Sequence, residues 1–497
     1  MAQLIPEISR TFNEFLLLPG RTRTDCTPDA VDLTTGLVRH LTGQRSAIAL
    51  TCPVTSAIMQ AVSSPALAIA LARNGGLAFL HHNQPVADQV LDIQRVKNFK
   101  AGFVTSDTNV RPDDTLGDLA ALMRQTGHST AAVTQDGTGS GTLLGLVTSR
   151  DFHPDRHGLD QPVSSRMIPV SALACGRSDI TLSEANARLW DERLDCLPVI
   201  SAAGRLEHLV FRSDYADHKR FPHQLVDDAK RLRVGAGINT HDYEDRVPAL
   251  LQAGADVLCF DSSDGYSDWQ QHALTWVKKH YPEIPVGGGN VVDGEAFTFL
   301  AEAGADFIKV GVGGGAICIT RDQKGIGRGQ ATAIMDVAAA RDDYAETTGE
   351  YVPICADGGL QHDYHLALAL AMGADFVMMG RYFARFDQAP GAKLTTRDGV
   401  VKEFWGEGSN RARNWARYGQ SGELAFEEGV DGFVPYAGDL SAGLATTLAK
   451  VRSTMVSCGA TSLPEFRQGA RLTLVSEQSF AEGQASVLVR ETVAELA

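Results

Sequence analysis

Several chemistries are missing from this 497-residue chain before any motif is considered. Its eight cysteines are irregularly spaced and form no Cys-x-x-Cys pair. A zinc framework or a disulfide scaffold would need paired spacings, so neither is expected. No run approaches the roughly 18 apolar residues of a membrane span. The opening MAQLIPEISRTFNEF lacks the basic start and apolar core of a secretory signal. Positive charge is scarce: 45 lysines and arginines face 60 aspartates and glutamates, a formal net charge of −15. That balance argues against a general affinity for nucleic acid or an anionic membrane, while leaving room for a local basic phosphate site. The expectation is a soluble cytoplasmic protein with free thiols. In that setting one cysteine in an unusual loop is a candidate nucleophile.

What is plentiful is apolar material, 44% of the residues, enough for roughly two to four domains. A phrase repeats within it. Ala-Gly-Ala-Asp occupies 253–256 and 303–306, and Met-Gly-Ala-Asp occupies 372–375. Each runs straight into an apolar stretch: VLCF, FIKV and FVMM. A helix that stops at a glycine, turns tightly and enters a buried strand reads this way. Comparable strands are expected at 49–54, 77–82, 233–237, 257–261, 284–289, 307–311, 353–357 and 376–380, with helical stretches between most of them. Alternating strands and helices imply a parallel α/β sheet. Eight units imply a (β/α)8 TIM barrel, with an open doubly wound sheet as the rival.

Residues 97–220 interrupt the rhythm. Thr115-Leu116 precedes LLGLVTSRDF (143–152) as Thr181-Leu182 precedes LEHLVFRSDY (206–215). Two copies of a small αβ unit inside a barrel loop read as an inserted domain, leaving 1–96 and 221–497 for the barrel. After the eighth strand, 384–435 is too long for an ordinary connection and is either a functional lid or disorder. Its tryptophans and other aromatics argue against plain disorder.

The strands end in unusual residues, and in a barrel those ends share the face where active sites form. The sixth leads into KVGVGGGAICITRDQKGIGRGQATA (309–333), where Cys318 follows a glycine-rich loop. Backbone N–H groups there can stabilise a thiolate for attack on an electrophilic carbon; a buried structural cysteine is the alternative. GIGRG does not follow a strand directly, so as a dinucleotide fingerprint it is weak. Asp357, Gly358 and Gly359 end the seventh strand, and Gly380 and Arg381 the eighth, the usual place for a phosphate in such barrels. Asp357 can accept from ribose hydroxyls or serve as a turn residue. Asp261, Ser262 and Ser263, with Trp269 beyond, can hold a second sugar and stack a base; a helix cap and a core tryptophan are the plain alternative.

GGGAICITR, KGIGRGQATA, ADGG, GADFVMMGRYFA and WGEGS, together with the paired insertion, resemble the inosine 5′-monophosphate (IMP) dehydrogenase family over nearly the whole chain. The resemblance implies NAD-dependent oxidation of IMP to XMP, the rate-determining entry to guanine nucleotides. Cys318 would form a covalent thioimidate, E-XMP*, and flap residues Arg417 and Tyr418 would activate water to hydrolyse it. Thr320 and Glu428 match a second proton relay. Glu407, Asn290 and Met59 match residues around IMP, with Asp357, Gly358, Gly359, Gly380 and Arg381. Gly311 and Gly313 join Asp261, Ser262, Ser263 and Trp269 on the NAD side. A potassium ion is implied on carbonyls of Gly313, Gly315 and Cys318, with Glu482, Gly483 and Gln484 from a neighbouring subunit, hence a homotetramer. The insertion resembles a CBS pair, or Bateman domain, which implies a nucleotide effector.

The chain departs from the family pattern at several positions. Ala316 and Phe404 stand where serine and tyrosine usually contact the IMP phosphate, and Arg381 is expected to compensate through charge-assisted hydrogen bonds. Glutamine is common where Glu407 stands, and a second glycine where Gln484 stands. Thr148 to Asp151 match a ribose-binding pattern, whose second copy has Phe211 in place of the threonine. GMP reductase is the nearest rival, expected to lack both the paired insertion and the Arg-Tyr flap. A nonenzymatic nucleotide sensor on a decayed barrel is a rival that intact Cys318, Thr320, Arg417 and Tyr418 speak against.

Overall fold

The computed structural model describes residues 2, 4–99, 102–126, 128–153, 156–397, 399–412, 426–485 and 487. Two compact units divide the chain: Met1–Lys97 with Leu225–Asp227 and Leu232–Ala497, and Asn98–Gln224 with Asp228–Arg231. No helix among the described residues is long and apolar enough to cross a membrane.

The larger unit is a closed barrel of eight parallel strands. They are β1 (Val54–Ser56), β2 (Leu77–Leu80), β3 (Gly235–Ile238), β4 (Val257–Phe260), β5 (Val286–Val291), β6 (Phe307–Val310), β7 (Ile354–Asp357) and β8 (Phe376–Met379). β1 pairs with both β2 and β8, which closes the ring and rules out the open sheet. The first strand lies further along than the apolar run at 49–54 suggested. Ala49–Leu50 instead pairs antiparallel with Thr35–Gly36 outside the barrel. Pro53 separates the two pieces, lacking the N–H a continuous ladder would need.

Aromatic rings fill the barrel: Phe307 lies 5.9 Å from Phe79 and 5.7 Å from Phe376, centroid to centroid. Gly287 makes this possible, because a Cβ there would fall 2.1 Å from the Phe307 ring. The repeated Gly-Ala-Asp phrase also has a physical basis. Helix Tyr243–Ala253 ends at Gly254, whose φ of +100° is the left-handed conformation glycine accepts most readily. The aspartate that follows then clamps the strand before it. Asp256 Oδ2 accepts from Val234 N at 2.8 Å, Asp306 Oδ2 from Val286 N at 2.7 Å, and Asp375 Oδ2 from Ile354 N at 2.9 Å. Each of these oxygens also takes a cation: Lys97 at 2.8 Å, Lys278 at 3.0 Å and Arg341 at 3.0 Å.

The smaller unit has two similar halves. One sheet contains Asn109–Val110, Thr130–Thr134, Leu143–Thr148 and Ile168–Pro169; the other contains Gly176–Arg177, Cys196–Ile200 and Leu206–Phe211. The repeated Thr-Leu marks the same event in both, a reciprocal cap at a helix start. Thr115 exchanges hydrogen bonds with Asp118, and Thr181 with Glu184.

Candidate active site

The C-terminal ends of the barrel strands converge on one cavity, and the cysteine loop forms much of its wall. After β6 the glycines lead to Cys318 and then to one helical turn, Thr320–Lys324. A short ladder ties this loop to the segment before strand Asp431–Pro435: Ile319 N donates to Glu428 O at 2.9 Å, and Val430 N to Ile317 O at 3.0 Å. Side chains connect across the same junction. Cys318 Sγ lies 3.1 Å from Thr320 Oγ1, which donates to Glu428 Oε2 at 2.9 Å. The threonine proton is thereby committed to Glu428, so the thiol is the donor to Thr320. Thr320 and Glu428 are both 4% exposed, which removes this chain of contacts from bulk water.

The opposite wall is built on strands. Asp357, at the end of β7, accepts from Asn290 Nδ2 at 3.0 Å and faces Lys309 Nζ at 3.6 Å. Asn290 also donates to Gly311 O at 2.7 Å, while its Oδ1 is buried with no hydrogen-bond partner among the described residues. An unmet acceptor beside a cavity suits a ligand that donates. Burial opposes the Lys309 charge, yet the Asp357 carboxylate beside it raises its proton affinity above the ordinary lysine range.

Gly313, Gly315, Gly358, Met59 and Glu407 line the same cavity. Both Glu407 oxygens are engaged, Oε1 by Gln60 N and Oε2 by Asn83 Nδ2 at 3.2 Å. Gly359 lies just behind, its N–H on Gly314 O at 2.9 Å. Gly380 packs near Met59 and buried Phe404. Arg381 starts the short helix Arg381–Ala384 and reaches Gln361 O at 3.5 Å. Ala316 belongs to the cysteine turn. Arg417 and Tyr418 lie outside the described residues.

A second cavity adjoins the first and shares Asp261, Ser262 and Ser263 with it. Trp269 stands on its wall, 75% exposed. The alternative of a core tryptophan is therefore excluded. Asp261 Oδ2 lies 3.2 Å from His82 Nε2, with both side chains largely buried. A carboxylate, two hydroxyls and an open aromatic face fit the ribose and base of a dinucleotide. Among the described residues no group of three or more His, Cys, Asp or Glu is placed to hold a metal. Glu482, Gly483 and Gln484 close the short helix Glu477–Glu482 near the end of the described chain.

Sequence reasoning missed Lys309, His82 and Lys324. Lys309 carried a visible signal, a charged residue inside the apolar run FIKV. Lys324 looked like one more polar residue in a glycine-rich loop, and His82 like the tail of a strand.

Known proteins resemble this chain along its length. A model described as the IMP dehydrogenase / GMP reductase domain matches residues 9–486. Inosine-5′-monophosphate dehydrogenase of Tritrichomonas foetus is 53% identical over 497 residues, 99% of each chain. That of Aquifex aeolicus is 33% identical over 481 residues, 95% of this chain and 94% of the relative. Among solved structures, a cysteine-to-alanine GMP reductase from Trypanosoma brucei in complex with guanosine 5′-monophosphate matches with a TM-score of 0.78 at 27% identity. It covers 98% of this chain and 99% of that one, so the match runs through the insertion. The expectation that a paired insertion separates this chain from GMP reductase is thereby overturned. With the family model spanning both units, the chain belongs to the IMP dehydrogenase / GMP reductase family.

Proposed function

We propose that this chain oxidises IMP to XMP with NAD through a covalent bond at Cys318. The observation that carries the reading is the buried contact chain from Cys318 through Thr320 to Glu428, open to the cavity at its sulfur end. The thiol passes its proton toward Thr320 and attacks C2 of the purine. NAD, held by Asp261, Ser262, Ser263 and Trp269, with Gly311 and Gly313 close by, supplies the acceptor for the C2 hydride. Water then attacks the resulting thioimidate, one of its protons is taken up by the protein, and the C2–S bond breaks to release XMP and restore the thiol.

The residues that take the water proton are Arg417, with Tyr418 orienting, and Glu428 through Thr320 as a second route. Segment 384–435 acts as the lid that exchanges a dry site for a hydrolytic one. Asp357 holds the IMP ribose, Asn290, Met59 and Glu407 surround the base, and Gly358, Gly359, Gly380 and Arg381 take the phosphate. Carbonyls of Gly313, Gly315 and Cys318, with Glu482, Gly483 and Gln484 of a neighbouring subunit, would hold a potassium ion and so stiffen the cysteine loop in a cytoplasmic homotetramer. Residues 97–220 form a CBS pair that binds a nucleotide effector.

Arg417→Ala tests the division of labour. Hydride transfer should survive as a burst of NADH, followed by hydrolysis slowed about 10²–10⁴-fold, the usual contribution of a general base. Loss of the burst itself would place Arg417 in the redox step. A second reading, reduction of GMP, is favoured by the match to the Trypanosoma brucei enzyme. Consumption of NADPH with GMP, without NADH formation from IMP, would establish it instead.

A further inference from the structure

Lys324 sits at the far end of the relay and faces two loops at once. Its Nζ is 3.4 Å from Glu428 Oε1 and 3.7 Å from Asp264 Oδ2. The side chain is 26% exposed, well withdrawn for a lysine, whereas that of Glu428 is 3% exposed. Among the described residues Glu428 Oε1 accepts no hydrogen bond, so the ammonium answers it as a charge and not as a donor. A buried carboxylate without a counter-charge is costly, and Lys324 is the cation paired with Glu428 among the described residues.

Local geometry explains how one short element achieves this. Thr320 and Lys324 open and close the same helical turn, four residues apart and therefore on one face. Thr320 takes Oε2 and Lys324 takes Oε1, so the carboxylate is gripped at both oxygens by a single turn. Gly325, with φ of +67°, ends the turn directly behind the lysine. Lys324 and Glu428 also border the cavity that contains Trp269 and Asp264.

We propose that Lys324 is a positioning residue: it aims Glu428 at Thr320 and, through Asp264, ties the proton relay to the wall of the dinucleotide cavity. The inference rests on the proposed function for what the relay does, but not for the grip itself. Without the ammonium, a single hydrogen bond from Thr320 is left to hold a buried and uncompensated carboxylate, and the relay opens. The dinucleotide cavity also loses its one lysine among the described residues, an effect that must be separated from the first.

Lys324→Met, which keeps length and removes charge, is compared with Lys324→Arg in the full-length protein. Lys324→Met should lower kcat about 10- to 100-fold, the scale of a misplaced catalytic contact, with KM for IMP unchanged. Lys324→Arg should recover most of that loss. A rise in KM for NAD with kcat unchanged would make Lys324 a dinucleotide ligand and overturn the proposal. In a Glu428→Gln background, Lys324→Met should add little; full additivity would also overturn it. A crystal structure of Lys324→Met gives a readout independent of turnover. Glu428 is expected to leave Thr320, and a retained hydrogen bond between them would sink the idea. A wild type that oxidises no IMP would overturn the proposed function, while this geometry would still decide the role of Lys324.

Discussion

The two ends of the barrel use the same residue types for opposite purposes. At the entry end, Asp256, Asp306 and Asp375 each clamp the neighbouring strand and take a lysine or arginine. Their hydrogen bonds are met within the fold, and Asp375 shows how completely. It receives Ile354 N, Tyr351 Oη at 2.8 Å and Arg341, with Arg467 at 2.9 Å. Burial opposes its charge, yet Arg467 and Arg341 together hold its carboxyl below the ordinary range. At the exit end, Asp357, Asn290 and Glu428 are also paired, but with something left over. Among the described residues Asn290 Oδ1 and Glu428 Oε1 are buried without a hydrogen bond. Carboxylates bound by strand N–H groups and cations make a girdle, whereas an unmet acceptor beside a cavity leaves valence for a ligand or a proton.

Substitutions that affect one end alone would sharpen this contrast. Cys318→Ala has the largest expected effect: turnover should vanish while IMP binding and the thermal midpoint stay near wild type. Mass spectrometry of the wild type with IMP and NAD should find its adduct on Cys318, and an adduct on another cysteine would refute the assignment. Asp375→Ala should do the reverse. Removing one partner from a buried ionic cluster costs about 3–5 kcal/mol of stability, because Arg341 and Arg467 lose the buried carboxylate they share, and Arg341 is left with the more exposed Asp342. Chemical denaturation would measure the loss, and kcat per folded molecule should be unchanged. If activity per folded molecule fell as steeply as stability, the two ends would not be separable.

The smallest effect concerns pH. His365 Nδ1 accepts from Gln361 N at 3.1 Å, so its Nε2 carries the proton and donates to Asn13 Oδ1 at 2.8 Å. Burial, with His362 nearby, lowers its pKa from 6.5 to about 4. The folded state therefore favours the neutral ring. Stability from this group is full above pH 6.5 and is lost as the unfolded chain takes up protons between 6.5 and 4. His365→Gln should remove about 2 kcal/mol of the stability difference between about pH 7.5 and 5. Urea unfolding at both values would show it; an unchanged difference would mean that the ring is protonated in the fold or exposed.

The sequence revealed the girdle's rhythm before its purpose. Gly-Ala-Asp before an apolar run is legible because a glycine closes each helix and a two-sided strand is apolar almost throughout, Lys309 being the one charge in the three runs. What each aspartate bonds to is not legible, since its partners lie on other elements. The offset of the first barrel strand has a similar cause. Ala49–Leu50 is as apolar as a barrel strand, and only its pairing with Thr35–Gly36 separates it from Val54–Ser56. In the site, Cys318, Asp357 and Asp261 stood out because each follows a strand in a distinctive loop. Lys309 stood out only as a charge inside an apolar run; its reason, an aspartate one strand further round, did not. Lys324 did not, because its reason is a glutamate more than a hundred residues later.

The chain's two far ends meet beside this machinery. Strand Phe15–Leu18 pairs antiparallel with Arg471–Leu474, and just before it Ser9 Oγ accepts from Gly329 N at 2.5 Å, while Arg10 N donates to Thr332 Oγ1 at 2.8 Å. Gly329 and Thr332 begin the long helix that leaves the cysteine loop. At ~5–20 residues per second, ribosomal synthesis takes roughly 20–90 s to supply the strand that Phe15–Leu18 needs. Until then Leu16 and Leu18 present an unpaired edge, the kind of segment that joins the wrong neighbour when chains are crowded. A slow ribosome or a stalled message therefore extends the interval in which Phe15–Leu18 lacks its partner strand, and a chaperone that shields this segment would act on that interval.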